Sequence, residues 1–547
     1  MKNICSVLKV LYTFLLVVAA LIICGGSVGF SVFTVIAFGT YFALIAFFIF
    51  LTGKKQLSFI IASSLIIILQ LLSQLKVHFY KERLFFQDIY VALDYRNLET
   101  LLYYPLGMAA LFGLFLFLIF NIFIFRKSTP ITGKTRVSLL IAAFVVIGLN
   151  IYLSSQRTNI ETWQNHLPKG RGTISNLFIS AHEQSYTPPY FSQSDNYFLE
   201  KMKTVSLTSD NNVKKPDIIV LLQESTFNPR LFDFNSQTLP DLTLFSQPNS
   251  GLLRVRTFGG GTWISEFAVL TGLDPNDFSF RKNSVFYIVA ENIQTSLFKE
   301  AVDNGYQTVV LSSMGYGNYN AGPAYTHFGM QTFLQPQDLG YPGEKGANLW
   351  HIPTKDLLEC AKKVLETYTD KPLLLYVLTM DEHGPYDENT PDQYQLTQLT
   401  QQDKAFVGRL NDYLPRIERL NAATNDLTSY IQNRANPTLF FYFGDHQPAL
   451  NWQGEYKTEL ATPTWLTQYA LTSNYPIDKA SYPVLDLSLA SGMILEKANL
   501  QVSDFYQANI AMRYLCDGKL DDCDDKQLVN SYKHYIYQTL KDAGEEK

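Results

Sequence analysis

The sequence predicts a chain in two parts, an N-terminal helical membrane domain and a C-terminal α/β domain. Three observations lead to this prediction. Long apolar segments are concentrated in residues 1–153 of the 547-residue chain, whereas the remainder has the mixed composition of a globular protein. In that remainder, short apolar runs alternate with helix-like stretches. Polar residues follow directly where several of the apolar runs end.

Five apolar segments are long enough to cross a bilayer, since a spanning helix needs about 20 mostly apolar residues. The first could instead be a cleaved signal peptide, but further spans follow at once and no small-residue cleavage site stands out. Five core helices of a soluble protein are a less favoured alternative. We therefore predict five spans, at 8–24, 30–52, 57–75, 104–125 and 137–153.

Basic residues in the short loops predict the orientation of these spans. The loops that carry them are all cytoplasmic if the N-terminus is cytoplasmic, and the uncharged loop GGSVG is then outside. Five spans place residues 154–547 outside the cytoplasm, in a multi-pass protein of the inner or plasma membrane. The loop 76–103 would carry Lys76, Lys81, Arg83 and Arg96 on the outer side, against this pattern. It carries four acidic residues as well and is amphipathic, so it is predicted to form interfacial helices at the outer membrane surface. The basic residues used are Lys2, Lys9, Lys54, Lys55, Arg126, Lys127, Lys134 and Arg136.

Residues 154–214 are polar and contain turn signals, such as LPKGRG and YTPPY, which predict a linker. Residues 215–547 are predicted to form the α/β domain. Four apolar runs in it are typical of buried parallel strands: PDIIVLLQES, TVVLSS, PLLLYVLTM and PTLFFYFGD. Helix-like stretches separate them: SLFKEAVDNG, TKDLLECAKKVLET and residues 402–433. Sheets of this kind bind ligands at the carboxyl ends of their strands.

Two further features of the composition bear on compartment and partners. The formal net charge of −5 gives no reason to expect a nucleic-acid partner. Cys516 and Cys523 lie close together in CDGKLDDC, either as two unpaired thiols or as a local disulfide. An extracytoplasmic location favours the disulfide, because disulfides persist in oxidising compartments.

Chemically versatile side chains stand at the predicted strand ends. Glu224 follows IIVLLQ, His383 follows LLLYVLTMDE, and Asp445 and His446 follow LFFYFG. Thr262 lies in FGGGTWISEF, before a helix-like run. Each alone has a structural explanation, such as a helix cap, a turn residue or surface polarity. Together they predict a site for a divalent cation such as Zn²⁺ or Mn²⁺.

Thr262 is a candidate nucleophile in this arrangement. A hydroxyl group is a weak nucleophile by itself, but a bound metal ion lowers its pKa. The three preceding glycines let the backbone approach a bulky anionic group closely. The positive end of a helix that begins here favours phosphate.

These motifs resemble those of the lipoteichoic acid synthases and glucan phosphoglycerol transferases, and more distantly the lipid A phosphoethanolamine transferases. All belong to the alkaline phosphatase and sulfatase-like superfamily, so a sulfatase-like C-terminal domain is implied. The resemblance covers nearly the whole chain, through LLQESTF, GGGTWISEF, YTHFG, DEHGP and FYFGDHQP. A true sulfatase needs Cys or Ser in a C/S-x-P-x-R context, which GGGTWISEF lacks. Hydrolysis of sulfate esters is therefore disfavoured.

The resemblance also implies roles for individual residues. Thr262 would be the nucleophile, and His383 would contact the transferred group and protonate a leaving oxygen. Tyr319 stands where the lipoteichoic acid synthases have a substrate-binding Trp, and is expected to contact substrate. Ala321 replaces the family's Arg, which puts phosphoglycerol in doubt unless another cation substitutes, with Arg254, Arg256 and Arg281 as candidates. One divalent metal ion, Mn²⁺ or Zn²⁺ with Mg²⁺ as a further option, would be bound by Glu224, Thr262, Asp445 and His446.

The implied activity is transfer of a phosphoglycerol- or phosphoethanolamine-type head group through a phospho-threonine intermediate. The donor would be a membrane phospholipid, and the acceptor a hydroxyl of an envelope glycan or glycolipid. Two alternatives use the same fold. One is an extracytoplasmic metal-dependent phosphodiesterase or phosphatase, with water as the acceptor. The other is a non-catalytic membrane-anchored binding protein.

Overall fold

The fold separates into two compact units, Met1–Tyr186 and Thr187–Lys547. It was obtained as a computed structural model, and each unit is described by itself. The residues that the structure describes are 2–25, 31–80, 83–86, 88–93, 105–125, 130–155, 172–182, 186–205, 214–234, 239–396, 403–478 and 480–545.

The first unit is helical. Four of its helices are long and apolar enough to cross a membrane, over Val7–Gly25, Val32–Thr52, Lys55–Val77 and Gly133–Ser154. The fourth predicted span contains only a shorter apolar stretch among the described residues, Phe112–Phe125, so the predicted count of five is not confirmed. The helices are α1 (Lys2–Gly25), α2 (Val32–Thr52), α3 (Lys55–Tyr80), α4 (Asp88–Leu93), α5 (Pro105–Phe125), α6 (Gly133–Ser155) and α7 (Thr173–His182).

Two loops of this unit that carry basic residues lie side by side. Lys54, between α2 and α3, forms an isolated antiparallel bridge with Pro130, between α5 and α6. The Ile131 N–H also donates to the Gly53 carbonyl oxygen at 2.7 Å. The structure therefore places these two loops at the same end of the helical unit.

The predicted surface segment 76–103 is described only in part. Helix α3 extends through Tyr80, so the start of the segment continues the third predicted span. Lys76 pairs with Asp88 at 2.8 Å, at the start of the short helix α4. Residues 94–103, like Arg126 and Lys127 of the orientation argument, lie outside the described residues.

The second unit is built on an eight-stranded sheet in the order β4-β3-β5-β1-β6-β7-β2-β8. Strands β1, β3, β4, β5 and β6 are parallel, and β7 is antiparallel to both β6 and β2. Every residue of β1, β5 and β6 is buried, as continuous apolar runs predict. The strands are β1 (Asp217–Gln223), β2 (Ser250–Arg254), β3 (Gln307–Ser312), β4 (Thr332–Leu334), β5 (Leu373–Leu378), β6 (Thr438–Gly444), β7 (Leu466–Ser473) and β8 (Val484–Asp486).

Helices accompany these strands, so the α/β class is confirmed for this unit. The segment TKDLLECAKKVLET is a helix from its first residue to its last, because its apolar residues recur at helical spacing and bury one face. The helices are α8 (Asn196–Met202), α9 (Thr262–Thr271), α10 (Leu297–Asp303), α11 (Ala321–His327), α12 (Thr354–Thr367), α13 (Lys404–Gln432), α14 (Ala490–Lys497), α15 (Asp504–Leu515) and α16 (Lys526–His534).

Helix α8 belongs to this second unit, although the sequence assigned its residues to the linker. Its Phe198 side chain is fully buried and packs edge-on against Tyr532 of α16, with ring centroids 5.2 Å apart. The Phe198 N–H donates to Ser531 Oγ at 2.9 Å. Residues 187–205 thus contribute to the packing of the α/β unit.

A disulfide joins Cys516 to Cys523 and closes an acidic loop. Two carboxylates of this loop pair with buried arginines, one at the end of β2 and one in the segment between β2 and Thr262. Asp522 lies 2.5 Å from Arg254, and Asp521 lies 3.2 Å from Arg256. The loop therefore contacts the segment that precedes the three glycines at 259–261.

Candidate active site

The sheet places two of the predicted site residues side by side. Strands β1 and β6 are parallel neighbours, with Gln223 opposite Gly444 at their last positions. The residues that follow, Glu224 and Asp445, must therefore leave the same edge of the sheet together. His446 comes next along the chain, and all three side chains are buried.

The glycine-rich loop brings Thr262 to this edge. Gly259, Gly260 and Gly261 all have positive φ, of 70°, 149° and 81°, a conformation that other residues rarely adopt. The loop ends at Thr262, the first residue of α9. Ser265, one turn along, fixes the helix by donating to the Asp445 carbonyl oxygen at 2.6 Å.

The four predicted metal ligands meet at one point. Thr262 Oγ1 donates to Glu224 Oε2 at 3.1 Å. His446 Nε2 lies 3.4 Å from Glu224 Oε1 and 3.3 Å from Asp445 Oδ2. One ligand atom from each of Glu224, Asp445 and His446 lies within 4.8 Å of the others.

The donor atoms of this cluster fit a cation. Asp445 Oδ2 and His446 Nε2 are buried, and neither has a hydrogen-bond partner in the described part of the chain. His446 Nδ1 faces the Gln447 carbonyl oxygen at 3.1 Å, which can only accept. Nδ1 therefore carries the proton, and the Nε2 lone pair points toward two carboxylates. A lone pair and two carboxylates repel one another unless a cation lies among them.

Electrostatics support the same interpretation. Burial and the nearby Glu224 carboxylate raise the pKa of Asp445 well above its usual range. Burial lowers the pKa of His446, and the neighbouring His383 adds to this effect, while Glu224 opposes it. Without a cation, the cluster thus disfavours the ionised carboxylate and keeps the imidazole neutral, the form that binds metals.

His383 lies on the loop after β5, the other neighbour of β1. Its Nδ1 faces the Gly384 carbonyl oxygen at 2.6 Å, and because that oxygen can only accept, Nδ1 carries a proton. The ring is half-buried and packs edge-on against Trp350, with centroids 5.4 Å apart. The structure places His383 near the cluster but outside its hydrogen bonds.

The loop that carries His383 is held by Glu382, a residue that the sequence argument missed. Its carboxylate accepts from Thr354 Oγ1 at 2.5 Å and from Thr379 Oγ1 at 2.7 Å. Thr379 Oγ1 in turn accepts the Glu224 N–H at 3.0 Å. This chain of hydrogen bonds fixes the ends of β1 and β5 relative to each other.

Tyr319 uses its hydroxyl group within the protein. It donates to Glu266 Oε1 at 2.8 Å, and the Tyr319 ring packs against Trp263 with centroids 5.5 Å apart. Its backbone has φ +34°, a strained value for a tyrosine. Any contact of Tyr319 with a substrate therefore involves the ring face or edge more than the hydroxyl group.

Glu266 was also missed, although its spacing from Thr262 could have revealed it. Glu266 is the fourth residue after Thr262 on α9, so the two lie one turn apart on the same face. The fully buried Glu266 carboxylate accepts from Tyr319, from Tyr325 and, at 3.2 Å, from Tyr376. Burial raises the pKa of Glu266 to about 7, against these three hydrogen bonds.

The structure rules out two of the suggested substitute cations. Arg256 is buried and binds Asp274 at 2.8 Å and Asp486 at 2.5 Å. Arg254 pairs with Asp522 and donates to the Ala461 carbonyl oxygen at 2.7 Å. Both guanidinium groups are neutralised inside the protein, so neither is available to a substrate phosphate.

A sulfatase-like α/β domain with a buried cluster suited to a metal ion is the class that this fold and site define. The sulfatase family model matches residues 216–471. An uncharacterized protein of Haemophilus influenzae is 38% identical over 527 residues, which cover 92% of this chain and 95% of the relative. Residues 216–471 thus belong to the sulfatase family, as the motifs indicated, and the whole chain belongs to one family with the Haemophilus influenzae protein.

Two solved structures share the fold. The Streptococcus pyogenes phosphoglycerol transferase GacH, in complex with sn-glycerol-1-phosphate, covers 65% of this chain and 95% of its own, at 20% identity and a TM-score of 0.51. The integral membrane lipooligosaccharide phosphoethanolamine transferase A (EptA) of Neisseria meningitidis covers 87% and 98%, at 15% identity and a TM-score of 0.50. The second alignment extends over both units, which confirms the predicted combination of N-terminal helices and sulfatase-like domain.

Proposed function

We propose that the chain is a membrane-anchored transferase that moves a phosphoglycerol- or phosphoethanolamine-type head group. The donor is a membrane phospholipid, and the acceptor is a hydroxyl group on an extracytoplasmic glycan or lipid. Residues 1–153 form the membrane domain and residues 215–547 the catalytic domain outside the cytoplasm. Residues 154–214 connect the two, and 187–205 of this linker pack with the catalytic domain. The adjacent Lys54 and Pro130 loops support this orientation, because their basic residues then share the cytoplasmic side.

The observation that carries the proposal is the contact between Thr262 Oγ1 and Glu224 Oε2 within the buried cluster. A hydroxyl group at the start of a helix, hydrogen-bonded to a carboxylate, is suited to attack a phosphodiester. The positive N-terminal end of α9, which begins at Thr262, favours the anionic phosphoryl group. The two transferases with the same fold give this chemistry independent support.

The first half-reaction follows from the residues present. Thr262 Oγ1 attacks phosphorus, the bond to the diacylglycerol oxygen breaks, and a phosphodiester on Thr262 remains. Thr262 Oγ1 passes its proton to Glu224 Oε2, its hydrogen-bond acceptor, and His383 Nε2 is the proton donor to the leaving diacylglycerol oxygen. Glu224, Thr262, Asp445 and His446 would hold a divalent metal ion, Mn²⁺ or Zn²⁺, which supplies Lewis-acid stabilisation of oxygen charge when bound.

The head group is recognised without the arginine that the lipoteichoic acid synthases place at the position of Ala321. Ala321 is buried at the start of α11. Trp263 follows Thr262 in the sequence, and the Tyr319 ring packs against the Trp263 ring. The two rings supply an aromatic surface in place of the arginine. Such a wall suits the cationic amine of phosphoethanolamine through cation–π attraction, and it also packs against glycerol carbons.

Substitution of Thr262 tests the covalent mechanism. Full-length protein is incubated with phospholipids labelled in the head group, and diacylglycerol release and transfer of label are both measured. Thr262→Ala should abolish both, and Thr262→Ser should retain part of both. Thr271→Ala, a buried threonine at the other end of α9, is the matched control and should retain activity.

Mass spectrometry of the Thr262 peptide should show a head-group phosphodiester when acceptor is absent. Diacylglycerol release at the normal rate by Thr262→Ala would contradict the covalent mechanism. The phosphodiesterase interpretation, with water as nucleophile, would then lead.

A further inference from the structure

A polar cleft of about 340 Å³ lies beside the loop that carries His383. Asp381, near the start of that loop, lines the cleft. Arg416 lines it as well, and donates to the carbonyl oxygens of His383 at 2.6 Å and Pro385 at 3.3 Å. Arg416 thus connects the cleft to the backbone of the loop that carries His383. Its volume is within the range of about 300–1,000 Å³ that is usual for small-ligand sites.

The charges in this cleft are balanced in pairs. Arg416 binds Asp412 at 2.7 Å, and Arg419 binds Asp381 at 3.2 Å. Two guanidinium groups and two carboxylates sum to no net charge. The two arginines of the cleft therefore leave no surplus positive charge to compensate a phosphate.

Balanced pairs still offer many hydrogen bonds to a ligand. A guanidinium group has five N–H donors, and Arg416 and Arg419 each make three hydrogen bonds within the protein, so each keeps donors for a ligand. The Arg419 side chain is 56% exposed, and Gln393 adds an amide that can both donate and accept. Closely spaced donors and acceptors without net charge match a ring of sugar hydroxyls, each of which can donate and accept.

We propose that this cleft binds a neutral glycosyl residue of the acceptor and presents its hydroxyl group to the site. The inference rests on the proposed transferase function and names the chemical class of its acceptor. In the second half-reaction, the acceptor oxygen forms a bond to phosphorus and the bond from phosphorus to Thr262 Oγ1 breaks. The acceptor's proton is transferred, in net terms, to Thr262 Oγ1, which restores the enzyme.

Cleft variants test this assignment in the full chain, purified in a detergent without a sugar head group. Methyl glycosides of glucose, galactose and N-acetylglucosamine serve as acceptor probes. Arg419→Gln and Gln393→Ala, singly and together, should lower the ratio of glycoside product to diacylglycerol released by at least about tenfold, as loss of a hydrogen bond to a charged group implies. Arg409→Gln, on the same helix α13 but paired with Glu388, is the matched control.

Binding is measured separately by saturation-transfer NMR with the same glycosides. Loss of glycoside signals in the Arg419→Gln variant, but not in Arg409→Gln, supports the cleft even if no phospholipid is consumed. Absence of glycoside binding to the wild-type protein overturns the inference, as does an unchanged product ratio in the double variant. Diacylglycerol release that continues in either case leaves the proposed transferase function intact.

Discussion

Substitution of Asp445 by Asn tests whether the buried cluster holds a metal ion, because its effect on stability should depend on metal. Asp445 Oδ1 accepts the N–H groups of Ser225 and His446, each at 2.8 Å, and an amide oxygen can accept both. Asp445 Oδ2 has no hydrogen-bond partner among the described residues. The Asn side chain therefore preserves the internal contacts and removes one negative charge.

The magnitude follows from the geometry. Two carboxylate charges at the 4.8 Å limit of the cluster repel each other by about 3 kcal/mol at an effective dielectric constant of about 20. Without metal, Asp445→Asn should stabilise the protein by up to that amount at pH 8, where more of the wild-type carboxylates are ionised. With metal at about 100 times its Kd, the free energy of unfolding of the wild type increases by about 2.7 kcal/mol, and most of this increase should be absent in the variant.

Thermal unfolding of the chelator-treated full chain in detergent, with and without Mn²⁺ or Zn²⁺, measures both effects. Asp233→Asn, which neutralises an exposed carboxylate, is the matched control and should respond to metal as the wild type does. A variant that unfolds at a much lower temperature without metal, yet keeps the full metal-induced shift, would refute the assignment of Asp445 as a ligand.

Two further predictions concern Glu266 and the orientation of the chain. Burial raises the pKa of Glu266 from 4.5 to about 7, so wild-type stability from this group is present below pH 4.5 and is lost as pH rises through 7. The free energy of unfolding of Glu266→Gln, relative to that of the wild type, should therefore rise by about 3 kcal/mol between pH 4.5 and 8. Unfolding measured at each pH tests this, and a difference that does not change with pH would contradict it. A C-terminal alkaline phosphatase fusion should be active and a green fluorescent protein fusion dark, and the reverse pattern would place the catalytic domain in the cytoplasm.

Strong local signals explain which elements the sequence could predict. The runs that became β1, β5 and β6 are continuously apolar, and a strand buried on both faces has this pattern. Strand β8 has only three residues, and β7 mixes polar and apolar residues, so neither was predicted. The antiparallel direction of β7 also depends on pairing between distant segments, which local periodicity does not record.

The candidate site shows the same division between local and distant information. Glu224 and Asp445 could be recognised as polar residues after apolar runs, but their adjacency depends on β1 pairing with β6, more than 200 residues away. Glu266 could have been found from its helical spacing to Thr262. Its three tyrosine partners come from two other segments, however, Tyr319 and Tyr325 from one and Tyr376 from β5, and no local pattern brings these segments to α9.

Tyr319 occupies a motif position that suggests a substrate contact, but its hydroxyl group is bound within the protein. By position it resembles an aromatic residue that holds glycerol phosphate, and its hydroxyl group would be the obvious substrate contact. In the structure that hydroxyl group is bound to Glu266, one turn below Thr262, and the strained Tyr319 backbone directs the ring toward Trp263. Ala321 also removes the cation of the lipoteichoic acid synthases. In the proposed transferase, we therefore expect recognition of the head group to depend on aromatic faces and on phosphoryl contacts at Thr262. Such a site would select the phosphodiester more strictly than the group attached to it.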